Sequence, residues 1–396
     1  MSDTTAPRAL LAAPEKAAPP PSQQIVEVAR KYGVSPFKQF SQMVRLWAGK
    51  NRVEFIQYYN NAIYRTDLSA AEKREFVGER GSRLLNDRLS PRAVTELRAF
   101  VRDKVFYGAM MDQLGFATPH IQAVASQNRD YGALLTLTEV PEIEDFLMNT
   151  AQYPLFVKPE QGSGSVGSAL ILDLDKTTRE LLLANGTRID LRAFASEALE
   201  DYAEGFLFQD AVIQHSALTE VAGRAVGTIR VVTVIAEDTP DVLYTLWKIP
   251  SPKAMSDNYW QSGSMIAEID NASGILQQCR RGAGLEQEMV ETHPVSGKTL
   301  SGMQIPHWDE VLRITKNAHK LMPQFGVFGW DIAITEDGPV IIECNANPHH
   351  MLYQLATGKG ILNKDFAPTL KKIEDRGQEL RSVARAKVLK QIKDGH

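Results

Sequence analysis

Only two cysteines, Cys279 and Cys344, occur in 396 residues. They can form at most one bridge, which excludes a disulfide-stapled scaffold and fits a reducing compartment, with the cytoplasm as default. Long apolar runs are missing too. No stretch reaches the roughly 20 residues that span a bilayer. Ala9 to Ala13, cut off by Pro14, Glu15 and Lys16, reads as too short and broken for a signal peptide. Nor is one sign of charge in excess: 44 Lys and Arg against 48 Asp and Glu leave a formal charge of -4. No global basic field is therefore on offer to nucleic acid or an anionic membrane, and small anionic ligands must be held by local cations.

What is present suits two or three lobes, each with its own core. Residues 1–23, rich in Ala and Pro, read as a flexible tail. From 24 to 100 apolar residues recur at helical spacing, as in Phe40, Met43, Leu46 and Trp47, then Phe55, Tyr58, Tyr59 and Ile63. This aromatic stripe is expected to be ordinary core in preference to a partner-binding face. Strand-like runs follow at Leu155 to Lys158, Ala169 to Leu172, Ile229 to Ala236, Val242 to Ile249, Phe328 to Ile334 and Val340 to Cys344. Helices are expected around Thr177 to Ala184 and Trp308 to Leu321. The fold class is α+β, built largely of antiparallel hairpins, with 101–208 and 209–363 as two lobes. Residues 364–396 read as a solvated, basic closing helix.

Gly162-Ser163-Gly164-Ser165-Val166-Gly167 matches G-x-G-x-x-G, a weak signal alone. A dinucleotide site needs a helix after the last glycine, yet Ala169-Leu170-Ile171-Leu172 reads as a strand. A P-loop needs a lysine directly after the loop, and none occurs before Lys176. A protein kinase would carry its lysine on the following strand, whereas Lys158 precedes the loop. What remains is a Gly/Ser loop between two strands, able to fold over phosphates and donate backbone N–H groups.

Two hairpins place charges face to face. A turn centred on Asp337 pairs Asp331 with Glu343, Cβ atoms about 5 Å apart, and Asn345 shares their face two residues on. Two carboxylates and an amide oxygen there suit magnesium bridging phosphates, two ions roughly 3.5 to 4 Å apart being one known arrangement. Upstream, a turn centred on Thr239 sets Arg230 opposite Lys248. Such like charges are stable with an anion between them, such as a transferring phosphoryl group. The adjacent His349 and His350 are expected at the surface or against substrate.

A glycine loop after a lysine strand, an arginine strand, then an Asp strand followed by Glu-x-Asn is the order of an ATP-grasp enzyme. The chain most closely resembles the sugar-transfer associated ATP-grasp family, related to α-L-glutamate ligases. The matching stretches are Asp103-Lys104-Val105-Phe106, Leu114 to Pro119, Phe156-Val157-Lys158-Pro159 with its loop, Thr228 to Thr233, Ser256-Asp257-Asn258, and Gly329-Trp330-Asp331 through Glu343-Cys344-Asn345. The resemblance implies an ATP-grasp fold, two α+β lobes gripping ATP, preceded here by a helical N-terminal region. It implies Lys104 and Lys158 on ATP phosphates, Gly162 to Gly167 as a lid, and Asp331, Glu343 and Asn345 on magnesium. Gln209-Asp210 would join the lobes beside adenine, with Gln209 in place of the usual Glu, and Asp257 and Asn258 would line the acceptor site or form a turn.

The expected reaction is a ligation: a substrate carboxylate takes the γ-phosphate of ATP, and an amine or similar nucleophile opens the acylphosphate, with Arg230 and Lys248 as catalytic cations. A carbohydrate or cell-surface pathway rests on the family name alone. The rivals are a kinase on the same fold and a nucleotide-binding accessory protein.

Overall fold

The computed structural model describes Leu10 and residues 21–162, 166–251, 254–259 and 261–393. Seven helices come first: α1 (Pro21–Tyr32), α2 (Pro36–Ala48), α3 (Phe55–Asn60), α4 (Ala70–Lys73), α5 (Glu79–Leu89), α6 (Arg98–Arg102) and α7 (Lys104–Gln113). The helix α1 starts at Pro21, so the last residues assigned to the tail are helical. Leu10 departs from a free tail as well, because it is buried against the first sheet and accepts a hydrogen bond from the Gly167 amide at 3.2 Å.

The first sheet comprises β1 (Ile121–Ala125), β2 (Thr136–Leu137), β3 (Leu155–Pro159), β4 (Ala169–Asp175), β5 (Glu180–Leu183), β6 (Arg188–Asp190) and β7 (Phe206–Asp210), ordered β2-β1-β7-β3-β4-β5-β6. On one face, Leu155, Val157, Ala169, Ile171, Phe206 and Phe208 pack with α8 (Val140–Asp145) and α9 (Leu191–Glu200). Alternation then sends Phe156, Lys158, Leu207 and Gln209 to the other. The helix expected at 177–184 is instead β5. The Asp175 carboxylate accepts from the amides of Thr177 and Thr178, reversing the chain, and Leu181 and Leu183 are buried at period two. A short Leu-rich run satisfies both periodicities, and the turn decides.

The second sheet comprises β8 (Ile229–Ile235), β9 (Pro240–Ile249), β10 (Met265–Ile269), β11 (Leu276–Arg281), β12 (Glu288–Met289), β13 (Val327–Thr335) and β14 (Gly338–Asn345), ordered β12-β11-β10-β9-β8-β13-β14. Both faces are covered. Ile229, Val231, Trp247, Trp330 and Ile332 pack under α10 (Ser216–Ala222) and α11 (Trp308–Lys320). Val232, Val234, Tyr244, Leu246 and Val327 face α5, α12 (Met351–Thr357) and α13 (Ala367–Lys393). Of the N-terminal helices, α5 therefore backs the same sheet face that carries Arg230 and Asp331. In α13, Leu370 and Ile373 are buried while Val383, Val388 and Leu389 are exposed, as a solvated closing helix requires.

The aromatic stripe divides. Met43, Leu46, Tyr58, Tyr59 and Ile63 form a core under α1 to α3, as expected. Phe40, Trp47 and Phe55 do not, being 56%, 53% and 44% exposed. The helix α2 is apolar over too wide an arc for its neighbours to cover.

Candidate active site

Asp331 and Glu343 are paired across β13 and β14, as the hairpin arithmetic expects. The path differs: Thr335 pairs with Gly338, one residue tighter than assumed, and a bulge beyond Ile332 restores the register. Upstream, a bulge beside Thr233 and a turn closed by Ile235 and Pro240 set Arg230 against Leu246, two residues short of Lys248. The expected direct opposition of Arg230 and Lys248 is thus corrected. A shift of two preserves the face, however, and both cations converge on one carboxylate.

That carboxylate is Asp331. Arg230 donates to it through Nε at 2.7 Å and Nη2 at 2.9 Å, and Lys248 Nζ lies 3.2 Å away. Lys248 also meets Asp257 at 2.9 Å, which in turn accepts from the Thr228 hydroxyl. Burial opposes every charge here. It is outweighed by Arg230 and Lys248, which hold the Asp331 carboxyl below its usual range, and by Asp331 and Asp257, which keep Arg230 and Lys248 above theirs. Arg230 Nη1 makes no hydrogen bond to the described residues, so one edge of the guanidinium points away from its anchor. Gly329 opens the space beside it: a Cβ there would lie 2.8 Å from Pro348 Cβ and 3.6 Å from Arg230.

Glu343 and Asn345 are half-buried, and no hydrogen bond or ion pair among the described residues claims either side chain. No three His, Cys, Asp or Glu among the described residues cluster at metal-binding spacing. A hard cation held here would meet two carboxylates and an amide. The donors fit magnesium in kind. Glu343 and Asn345 have no competing partner among the described residues, whereas Asp331 Oδ1 is shared by Arg230 and Lys248 and Oδ2, with a single bond from Arg230, is the oxygen with a lone pair to spare.

From the first sheet, Lys158 turns towards the same charges. Burial pulls its ammonium down to about 8, against the upward pull of Glu343, while Lys104 adds to the depression. Lys104, at the start of α7, donates to the carbonyls of Glu160 at 3.1 Å and Gly162 at 3.4 Å, gripping the base of the glycine loop. Gly162 and Gly167 carry φ of +143° and +74°. Ser163, Gly164 and Ser165 lie outside the described residues. Gln209 is buried on the Lys158 face opposite Phe156, and the Asp210 carboxylate accepts from Gln122 at 2.6 Å. The Asn258 carbonyl closes a turn with the Gln261 amide at 3.1 Å.

Sequence reasoning missed Arg129 and Glu160. The fully buried Glu160 carboxylate is held by Arg129 and the Tyr131 hydroxyl, and Arg129 also meets Asp103 at 2.7 Å, tying the loop base to the cap of α7. Only the acid following Lys158-Pro159 hinted at this. His350 is corrected too. It is fully buried, with Nδ1 3.0 Å from the Tyr244 hydroxyl and Nε2 2.8 Å from Asn86 Oδ1. Asn86 Nδ2 donates to Asn347 at 2.6 Å, fixing the amide so that its oxygen accepts from an Nε2-protonated, neutral imidazole.

The profile of the sugar-transfer associated ATP-grasp family matches residues 84–374. This chain belongs to that family. The match runs from α5 into α13, so this ATP-grasp protein's segment includes both sheets and the helices behind the site. No curated protein matches it. Among solved structures, it is similar to the D-alanine-D-alanine ligase from Coxiella burnetii (12% identity, TM-score 0.40, 74% of this chain and 62% of that one). It is also similar to the L-amino acid ligase from Bacillus licheniformis (14%, 0.39, 73% and 52%). It spans less than two thirds of either's length. No helix among the described residues of this ATP-grasp protein is long and apolar enough to cross a membrane.

Proposed function

We propose that the chain is a cytoplasmic, magnesium-dependent, ADP-forming ligase that activates a small-molecule carboxylate as an acylphosphate and passes it to an amine or similar nucleophile. The observation that carries this is the convergence of Arg230, Lys248 and Lys158 on one charged space bounded by Asp331 and Glu343. Three cations suit phosphoryl transfer, which needs positioning and charge neutralisation. Arg230, locked by its bidentate bond to Asp331, keeps Nη1 for the transferring group or the later oxyanion. Lys248 adds a second fixed charge, and Asp257 with Asn258 borders the acceptor side. Residues 101–208 and 209–363 act as the two lobes, with Gln209 and Asp210 at the adenine edge and Lys104 and Lys158 on the phosphates. The 162–167 loop closes to exclude water from the intermediate. Glu343 and Asn345, with Asp331 beside them, hold one or two magnesium ions, whose chemistry there is to neutralise phosphate charge.

The test separates ADP, AMP and phosphate release against pools of amino acids and sugar amines, with Glu343→Ala as control. Substrate-dependent ADP release, lost in the variant and diverted to a hydroxamate by hydroxylamine, is expected. AMP and pyrophosphate would replace this mechanism with adenylation, and ADP release with no hydroxamate would favour a kinase.

A further inference from the structure

The helix α2 carries two apolar stripes. Gln39, Met43 and Leu46 face the helical core. At about 100° per residue, Phe37, Phe40, Val44 and Trp47 fall on a second stripe, pointing outward at 82%, 56%, 38% and 53% exposure. Phe55 and Ile56 of α3 extend it, with the Phe55 ring edge-on to Phe40 at 6.5 Å. Aromatic side chains left in water on one helix face mark an interaction surface.

The charge around this face is opposite in sign to that of the chain. Between residues 24 and 53 there are six Lys and Arg against one acid, Glu27, although the whole chain carries -4. Lys38 and Arg45 are exposed beside the stripe on α2, and Arg30, Lys31 and Lys50 are exposed at the adjoining helix ends. Glu54, the next acid, is turned away: its carboxylate accepts from the Glu79 and Arg80 amides, both at 2.9 Å. A protein partner would meet the aromatics with a groove and the cations with scattered acids. A flat anionic surface meets both together, because Phe and Trp enter the headgroup boundary while flanking Lys and Arg reach the phosphates along their aliphatic stems.

We propose that the α2–α3 face seats the protein on an anionic lipid bilayer, lying in the interface without crossing it. The absence of a global basic field does not oppose this, since surface potential acts within a Debye length of the patch. The core under α1 to α3 is tied to the rest of the molecule through Leu285 packed against it and through the bonds of Arg65 to the Gly358 carbonyl and of Gln354 to Asn61, so seating would hold the ATP-grasp core at the membrane.

Flotation of the full chain with phosphatidylcholine vesicles, with and without about one part in three of phosphatidylglycerol, tests this. Binding to the anionic vesicles at least tenfold above the neutral ones is expected, weakening as salt rises from about 0.1 to about 1 M, where the Debye length falls from about 10 to about 3 Å. Both a Phe37→Ser, Phe40→Ser, Trp47→Ser triple variant and a Lys38→Glu, Arg45→Glu double variant should lose it. Brominated lipid should quench wild-type fluorescence, and a Trp47→Phe variant, which keeps an aromatic anchor, should lose that quenching, Trp247, Trp308 and Trp330 being buried. The proposal is overturned by no preference for anionic vesicles, by binding undiminished in both variants, by unquenched emission, or by a dimer in sedimentation that the triple variant abolishes, which would make a second copy the occupant.

Discussion

Asp331 and Glu343 stand opposite each other on neighbouring strands, and their surroundings give them different sensitivities. Asp331 is buried with both oxygens shared by Arg230 and Lys248, so Asp331→Asn leaves two buried cations undercompensated and should cost about 3 to 5 kcal/mol. Glu343 has no such partner, so Glu343→Gln should move stability by no more than about 0.5 kcal/mol. Both variants should lose the proposed ligase turnover. Urea unfolding of the two proteins checks the contrast, and equal costs would mean that Asp331 is not the anchor of the cluster. Arg230→Lys tests the anchor from the other side. It keeps the charge but not the planar fork that bonds Asp331 while presenting Nη1. The expected loss is about a hundred- to a thousandfold in turnover, with substrate KM changed far less, and near-normal turnover would remove Arg230 from the transition state.

Strands are legible wherever alternation runs long enough between turn residues; in the hairpin bearing Asp331 and Glu343 the pair is as expected because a bulge offsets a turn one residue tighter than assumed. Bulges are not legible, because one extra residue leaves no mark in composition, and the Arg230 to Lys248 register slips by two as a result. The Arg129–Glu160 clasp joins segments 31 residues apart, and no local periodicity reports such a pair. Helical spacing revealed the apolar arc of α2 but could not say how much of it neighbours would cover. His350 shows the same limit, since its environment comes from α5 and β9. That environment yields a pH prediction. Burial depresses the His350 imidazole from 6.5 to about 3, so between these values the unfolded chain binds a proton that the folded chain refuses. Stability should therefore fall as pH drops through that window, by about 1.4 kcal/mol for each unit of separation. His319, depressed by burial to about 4, acts in the same direction. Thermal melts from about pH 7 to about pH 4 should show a shallower acid loss in His350→Gln than in the wild type. An unchanged slope would contradict the neutral, buried imidazole.

At the scale of the whole molecule, the proposed function divides the work of holding a polyanion between the two sheets. The first brings Lys158 and the loop gripped by Lys104; the second brings Arg230, Lys248 and the free donors Glu343 and Asn345. Lys158 is the group through which one sheet feels the other, since Glu343, Asp257 and Asp331 all pull its ammonium upward while burial and Lys104 pull it down to about 8. Without nucleotide, a fraction of the molecules near pH 8 therefore carries a neutral Lys158, and alkali in that range does not weaken the fold through this group, because the folded chain already favours the uncharged form. Triphosphate changes the balance. Negative oxygens beside Lys158 favour its charged form, so binding ATP with magnesium between about pH 8 and 9 should draw a proton from solution, and affinity should fall as pH rises through that range. Titration calorimetry in buffers of different ionisation enthalpy measures the uptake directly. Lys158→Arg keeps the positive charge without a titratable amine in this range, and should bind nucleotide with the proton uptake removed. Uptake that persists in the variant would assign the proton to another group, and none in the wild type would place Lys158 away from the phosphates.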